Sequence, residues 1–334
     1  MSVTLKDVAR EAGVSLMTVS RVVNNKGDIA EATRENVLKA IEKLNYTPNR
    51  IARSLVVNKS DFIAIIVPDI ANPFFSEMVK GAEKHARDMG YNIILGDTEG
   101  LVDNEIQCID MAIGRKADGI ILVAPRIKEE VICQINELVP LIIIDRYVPN
   151  EDVIQVYVDN LRGAKEAVEY LIELGHRRIG FISGPRDVGN SLRREEGYRR
   201  ALAHHGIPLD PDLVVVGDFH YQSGYDSFDH FMQIEPRPTA IFASNDLMAV
   251  GVIQRARQRG LHVPRDVSVV GFDDIFLASV IDPPLTTVRH PMLEMGTRAS
   301  ALLVDRLDQR RDKQMKKVLE NKLVIRKSAT TLSK

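Results

Sequence analysis

TLKDVAREAGVSLMTVSRVVNN, residues 4–25, reads as two short helices with almost nothing between them. Thr4 is an N-cap with Asp7 three positions on, and Gly13 supplies the stop. Leu5, Val8, Ala9 and Ala12 fall between them at helical spacing. Ser15 caps a second helix that turns Val19, Val22 and Val23 inward. Only Gly13-Val14 joins the two, so they must cross sharply. That is a helix-turn-helix, whose second helix is the one able to enter a major groove. A third helix, about Glu31 to Leu44, lays Val37, Ala40, Ile41 and Leu44 against the pair. So small a core is marginal, and this head is expected to be partly mobile without DNA.

Charge points the same way. Residues 1–60 hold ten Lys and Arg against six Asp and Glu, a balance of +4, inside a chain of net charge −2. A basic head on an acidic body is expected to meet a polyanion through the head alone.

From Thr4 to Asn24 the chain resembles, at every fixed position, the headpiece pattern T-[IL]-x-D-V-A-x-x-A-G-V-S-x-x-T-V-S-R-V-[IVL]-N of the lactose/galactose repressor (LacI/GalR) family of bacterial transcription factors. The resemblance implies that Leu16 and Met17, the two residues after the capping serine, face base edges. Neither makes a bidentate hydrogen bond, so they read thymine methyls and shape. Arg21 can fork onto guanine O6/N7, and Ser15, Thr18, Ser20 and Asn24 suit phosphate oxygens. Leu5 joins this DNA-contacting set. One departure is Ala30, where the family has a serine cap on the third helix, a loss of ~0.5–2 kcal/mol that Asp28 offsets in part.

Residues 47–60, TPNRIARSLVVNKS, read as a hinge. Asn49 can cap a short helix containing Ile51, Ala52 and Leu55, too short to persist alone. The resemblance continues through NRIARSL and implies paired hinge helices in the minor groove. Leu55 would be the wedge between base steps, with Ala52 and Arg53 alongside.

From Asp61 the pattern changes to short apolar runs alternating with amphipathic helices. The runs are FIAIIV (62–67), YNIILG (91–96), GIILVA (119–124), LIIID (141–145), RIGFIS (178–183), LVVV (213–216), AIFA (240–243) and VSVVGF (267–272). Continuous apolar strands mean parallel sheets covered on both faces, and the break near 158–160 suggests two subdomains. The expected fold is an α/β body resembling a type I periplasmic binding protein, with an all-α helix-turn-helix headpiece. Its parts are residues 1–46, hinge 47–60 and body 61–334. The body's first subdomain takes about 61–159 and 291–322, its second about 160–290 and 323–334.

Ligands of open parallel sheets collect beyond the carboxyl ends of strands. Those positions hold Asn72-Pro73-Phe74-Phe75, Asp145-Arg146, Arg194, Phe219, Asn245, Asp273 and His290. Planar hydrogen-bonding groups beside flat aromatic faces are what a sugar ring needs. Taken singly, Asp145, Asn245 and Asp273 read equally as N-caps, the phenylalanines as core, and Arg194 as a solvated ion pair. Together they resemble the ribose-binding branch of the superfamily, with His290 standing where that branch has glutamine.

The rest is exclusion. The chain has 334 residues, 45% hydrophobic and 27% charged, an ordinary globular balance for two or more compact units. Two cysteines, Cys108 and Cys133, are expected to be reduced thiols of a cytoplasmic protein. No apolar run approaches ~18 residues, so no membrane helix is expected, and the charged N-terminus does not read as a signal peptide. No phosphate loop, dinucleotide fingerprint or nucleophile elbow occurs. Adjacent His204 and His205 are expected to point apart, so no metal and no cofactor is expected. Nor do the last residues carry leucine heptads, so a homodimer is expected rather than a tetramer. The reading is a repressor of double-stranded operator DNA, controlled by a small sugar between the body's subdomains. The alternatives are a regulator dependent on a corepressor (sugar phosphate, purine or phosphoprotein) and, more distantly, a sugar-binding enzyme.

Overall fold

The computed structural model describes residues 3–23, 27, 29–46, 60–309 and 316–332. The expectations placed on Asn24, Asp28, Asn49, Ala52, Arg53 and Leu55 lie outside the described residues. The chain divides into two units, Met1–Ser60 and Asp61–Lys334.

In the first unit, helices α1 (Leu5–Ala12), α2 (Leu16–Val23) and α3 (Glu31–Lys43) follow the local signals closely. Thr4 donates from its hydroxyl and its backbone N–H to Asp7 Oδ2, at 2.6 and 2.9 Å. Those bonds hold the Asp7 carboxyl below its usual range. Gly13 ends α1 in the left-handed region, φ 64°. Ser15 Oγ accepts from Thr18 N at 3.1 Å and starts α2. Val8, Ala9, Ala12, Val19, Val22, Val37, Ala40 and Tyr46 form the core. Asn36 Nδ2 donates to Ala12 O at 2.7 Å, tying α3 to the end of α1. Ala30 offers α3 no side-chain cap.

The second unit holds two six-stranded sheets. The first, in the order β11-β5-β4-β3-β1-β2, takes β1 (Phe62–Val67), β2 (Asn92–Asp97), β3 (Gly119–Val123), β4 (Leu141–Ile144), β5 (Ile154–Val158) and β11 (Lys316–Leu319). The second, in the matching order β12-β10-β9-β8-β6-β7, takes β6 (Ile179–Ser183), β7 (Val214–Val216), β8 (Ala240–Ala243), β9 (Ser268–Asp273), β10 (Thr286–Arg289) and β12 (Lys322–Val324). Pairing is parallel except between β10 and β12. Strand β1 shows why these runs are apolar throughout. It sends Ile63, Ile65 and Val67 into one core and Ala64 and Ile66 into the other, because both faces of the sheet are covered.

Helices α4 (Pro73–Asp88), α5 (Val102–Gly114), α6 (Glu129–Leu138) and α12 (Met292–Leu307) cover the first sheet. Helices α7 (Asn160–Glu173), α8 (Gly189–His204), α9 (Tyr221–Gln233) and α10 (Asp246–Gln258) cover the second, with a short α11 at Phe276–Val280. The chain therefore leaves the first sheet after Val158, returns through α12, and crosses again between β11 and β12. Gly81 and Gly296 let α4 and α12 touch backbone to backbone, since a Cβ on Gly296 would sit 1.9 Å from Met78 O.

Twelve strands occur among the described residues where eight apolar runs stand out in the sequence. The additional four, β5, β10, β11 and β12, are short and carry polar residues. In β5, buried Gln155 is satisfied by Val148, accepting from its N at 2.9 Å and donating to its O at 2.7 Å.

Candidate functional site

The exposed surface of α2 carries the DNA-reading candidates. Leu16 is 46% and Met17 66% exposed, unusual for large apolar side chains in so small a core. Arg21 and Ser15 are also exposed, while Thr18 and Ser20 are half-buried. Ser15 and Thr18 hydroxyls bond to each other at 2.8 Å, which leaves one hydroxyl proton for a phosphate. Leu5 is half-buried and packs against the head core.

The body has a cavity of about 500 Å³ at the carboxyl ends of both sheets, where the open-sheet rule places a ligand. Eight of the ten candidates line it: Asn72, Phe74, Phe75, Asp145, Arg194, Phe219, Asn245 and Asp273. Five lining residues, Glu99, Ala124, Asp145, Phe219 and Asp273, have positive φ without being glycine, at 52°, 45°, 57°, 70° and 116°. Such strain collects where a site fixes its groups against local preference. Gly184 gives the Phe219 ring its seat, since a Cβ there would lie 2.0 Å from the ring.

The floor of the cavity is a buried polar group. Arg194, only 3% exposed, donates to Asn160 Oδ1 at 2.8 Å and to Ser244 O, and its guanidinium lies 4.0 Å from the Phe272 ring centre. Its Nη2 stands 3.4 Å from Asp273 Oδ1 without hydrogen-bond alignment. Asp145 Oδ1 and Asp273 Oδ1 are buried with no hydrogen-bond partner. Burial pushes Asp145 up to about 7 against the opposing pull of Arg194, and pushes Asp273 well up too. Buried polar atoms without partners are rare in native proteins; here both belong to cavity-lining residues and stand on the side of His290. Asn190 Nδ2 donates to Asp145 O at 2.6 Å, joining the two halves beside the same residue.

Two candidates take other places. Arg146 turns away from the cavity and donates to Pro125 O and Ile127 O, at 2.9 and 2.6 Å. Those two bonds hold its guanidinium on the far side of the loop that follows β4. His290 lies behind the floor, its side chain fully buried between the Phe74 and Phe272 rings, each 5.2 Å away. Its Nε2 is 3.8 Å from Asp145 Oδ1 and its Nδ1 3.6 Å from Asp273 Oδ1. Burial and then Arg194 hold it well below its usual pKa, as a neutral ring. Asn72 and Asn245 line the cavity and also cap helices, accepting from Phe74 N at 3.0 Å and Met248 N at 2.9 Å. For Asn245 the cap is the alternative that the sequence offered; for Asn72 it is a further role.

Sequence reasoning missed the exposed rim: Asp69, Asp97, Glu99, Arg126, Asp218 and His220. The strand-end rule covers them, since they follow β1, β2, β3 and β7, but charged loop residues look alike in a sequence. A different correction concerns His204 and His205. The helix ends between them, so both turn toward Glu169, with Nδ1 of His204 at 2.9 Å and Nε2 of His205 at 3.8 Å from Oε1. Lys165 Nζ already stands 3.5 Å from that oxygen.

The pattern described as bacterial regulatory proteins, lacI family, matches residues 4–49, and the periplasmic binding protein-like domain matches residues 168–329. The chain is 37% identical over 330 residues to the HTH-type transcriptional repressor CytR of Escherichia coli (strain K12), covering 98% of this chain and 97% of that one. It is 38% identical to catabolite control protein A of Priestia megaterium, covering 91% and 92%. The lac repressor dimer bound to operator and the anti-inducer ONPF superposes with a TM-score of 0.88 at 28% identity, covering 99% of this chain and all of that one. Among the described residues no helix is long and apolar enough to cross a membrane.

Proposed function

The chain belongs to the lacI family of bacterial regulatory proteins and is a DNA-binding transcriptional repressor, not an enzyme; from that premise we propose that a sugar, a ribose-like pentose or a hexose, bound in the body's cavity sets its operator affinity. The observation that carries the reading is the floor. Asp145 and Asp273, beside the Arg194 guanidinium, line a cavity walled by Phe74, Phe75 and Phe219. Vicinal hydroxyls supply donors to such carboxylates, and the aromatic faces cover the C–H faces of the ring.

Two copies of the chain present two heads to a pseudo-palindromic operator. Apolar side chains left exposed along β2 and α5, among them Ile94, Leu95, Val102 and Ile106, suit a second copy, as do Phe276 and Val280 of α11. The sugar touches both halves of the body, so it favours one arrangement of them. By linkage, operator DNA must change sugar affinity by the same factor.

The test is a thermal-shift screen of pentoses and hexoses, then an operator titration with and without the sugar found. At ~100 times its dissociation constant a ligand adds ~2.7 kcal/mol, a readable shift in melting temperature. Asp273→Ala is expected to keep operator binding and lose the response to sugar. Wild-type sugar affinity in that variant removes Asp273 from the site, and a screen without a stabilising sugar overturns the proposal.

A further inference from the structure

Helices α7 and α8 run side by side and are joined near their starts. Arg194 Nε donates to Asn160 Oδ1 at 2.8 Å on the floor of the cavity. One turn further the two backbones meet, since a Cβ on Gly197 would lie 2.4 Å from Leu161 O. Glu169 and His205 stand eight residues beyond Leu161 and Gly197, a rise of about 12 Å along each helix. The close contact fixes the spacing of the helices, so the side chains at their far ends meet at a set distance.

What meets there is a set of metal-ligating atoms. Glu169 Oε1, His204 Nδ1 and His205 Nε2 all lie within 4.8 Å of one another. The carboxylate oxygen is 2.9 Å from His204 Nδ1 and 3.8 Å from His205 Nε2. Zinc bonds of about 2.0–2.1 Å in a tetrahedral arrangement put neighbouring ligand atoms about 3.3 Å apart, between those two values. Both imidazoles are exposed and Glu169 is half-buried, so the rings can turn to close the triangle and a fourth position stays open to water. Burial works to raise the Glu169 carboxyl, but the His204 hydrogen bond and Lys165 hold it below its usual range, which keeps it ionised at neutral pH. The negative end of the α8 dipole lies at the same point and favours a cation. The carboxylate only accepts, so its bond to His204 Nδ1 contains a proton. A metal takes that place, and the proton moves to Nε2 of the ring or to solvent.

We infer that Glu169, His204 and His205 form a binding site for a divalent transition metal of the zinc class, which ties the end of α7 to the end of α8 and displaces the Lys165 ammonium, 3.5 Å from Glu169 Oε1, from that carboxylate. Two imidazoles and one carboxylate suit zinc or nickel and disfavour magnesium, which takes an all-oxygen shell. The ligands share no residue with the lining of the cavity, so this site and the sugar reading stand or fall separately.

The test is titration of the full chain, freed of metal with EDTA and carrying no histidine tag, with ZnCl2, NiCl2 and MgCl2, followed by calorimetry and by thermal melting. Wild type is expected to bind one zinc per chain at micromolar concentration and to melt at a higher temperature with it, while magnesium does neither. His204→Gln, His205→Gln and Glu169→Gln are each expected to weaken zinc binding about tenfold or more, since even partners of a ligand are worth that much. Lys165→Gln removes the competing cation and is expected to tighten zinc binding several-fold, an effect opposite in sign to the other three. Melting in EDTA shows that each variant folds. Zinc affinity unchanged in the two histidine variants overturns the site, as does magnesium bound as tightly as zinc. Weaker zinc binding in Lys165→Gln also overturns it, because that lysine would then support the carboxylate rather than compete for it. Wild type that takes up no zinc in this range leaves the cluster a set of surface ion pairs.

Discussion

Head and body place their functional side chains in opposite physical settings. On α2, Leu16, Met17 and Arg21 stand in water with little holding them. In the body, Arg194, Asp145, Asp273 and His290 are all within 4% of full burial. A reader of DNA meets a surface that is itself hydrated and charged, so its contacts are weighed against water one by one. A small-molecule site removes its ligand from water, so its polar groups are desolvated in advance, and the fold bears that cost. Changes on the head should therefore alter recognition and leave stability alone. Changes on the floor of the body should alter both.

The largest expected effect tests the second half of that statement. Arg194→Met removes the one cation among Asp145, Asp273 and His290 and leaves a buried carboxylate uncompensated. Breaking a buried pair from one side costs ~3–5 kcal/mol. Because burial already raises both carboxyl groups, protonation relieves part of that loss, and the destabilisation should be greater at pH 8 than at pH 6. Calorimetric unfolding of the body measures it, with hydrogen exchange in α1 to α3 as the internal control. A loss under ~1 kcal/mol contradicts the picture of a strained floor.

Arg21→Ala is the counterpart on the head. Arg21 is exposed, so its removal should leave the melting of both units unchanged. The guanine fork it can form is worth ~1–3 kcal/mol of discrimination. Operator and random DNA titrated at fixed salt should therefore converge in affinity by about one to two orders of magnitude. Unchanged discrimination removes Arg21 from base reading.

The same contrast explains what was legible in the sequence. The head is built from local signals: Thr4 with Asp7, Gly13, and Ser15 with Thr18 are each within three residues of what they control. The apolar strands were legible because β1, β3 and β4 are buried on both faces. Strand β11 was not, because Lys316-Lys317 at a sheet edge looks like any surface segment. On the floor, Asp145, Arg194, Asn245 and Asp273 were found by the strand-end rule, but that rule gives position without direction. It placed Arg146 in the cavity, whereas the side chain exits the other way. It also placed His290 against the ligand, whereas the ring is a wedge between Phe74 and Phe272. Only the tertiary packing of α4 against the crossover after β10 decides that.

A smaller effect comes from protons. Burial raises Asp145 to about 7, and Asp273 also rises. Donors from a ligand hydroxyl stabilise the ionised carboxylate and lower its pKa in the complex. The free protein thus holds protons that the complex releases, so sugar affinity should rise as pH climbs from 6 to 8. The limit is about tenfold per pH unit for each proton released. His290, held neutral, adds no charge change in this window. Calorimetry in two buffers of different ionisation enthalpy counts the protons directly. Proton uptake on binding, or affinity flat over this range, would show that the carboxylates do not face the ligand.

The smallest effect asks whether the head is as local as its sequence suggests. Helix α3 starts at Ala30, whose backbone is extended at φ −51° and ψ 133° and whose side chain caps nothing. Its carbonyl already accepts from Thr33 N and Arg34 N, at 2.9 and 3.1 Å, so the backbone is in N-cap geometry and lacks only the side-chain acceptor. Ser at position 30 supplies that acceptor to an N–H of the first turn, which is worth ~0.5–1 kcal/mol. Ala30→Ser should therefore slow hydrogen exchange about threefold for amides in α3 that open with the helix, such as those of Val37 and Ala40. Both side chains are core residues of the head, so protection should spread to α1 and α2. Amides of β8 and β9 in the body, which belongs to a separate unit, should exchange as before. Faster exchange in α3 would mean that the cap geometry is not used. Altered exchange in β8 would mean that the two units share one folding equilibrium, and the contrast between an exposed reader and a buried sensor would then describe two surfaces of a single cooperative body.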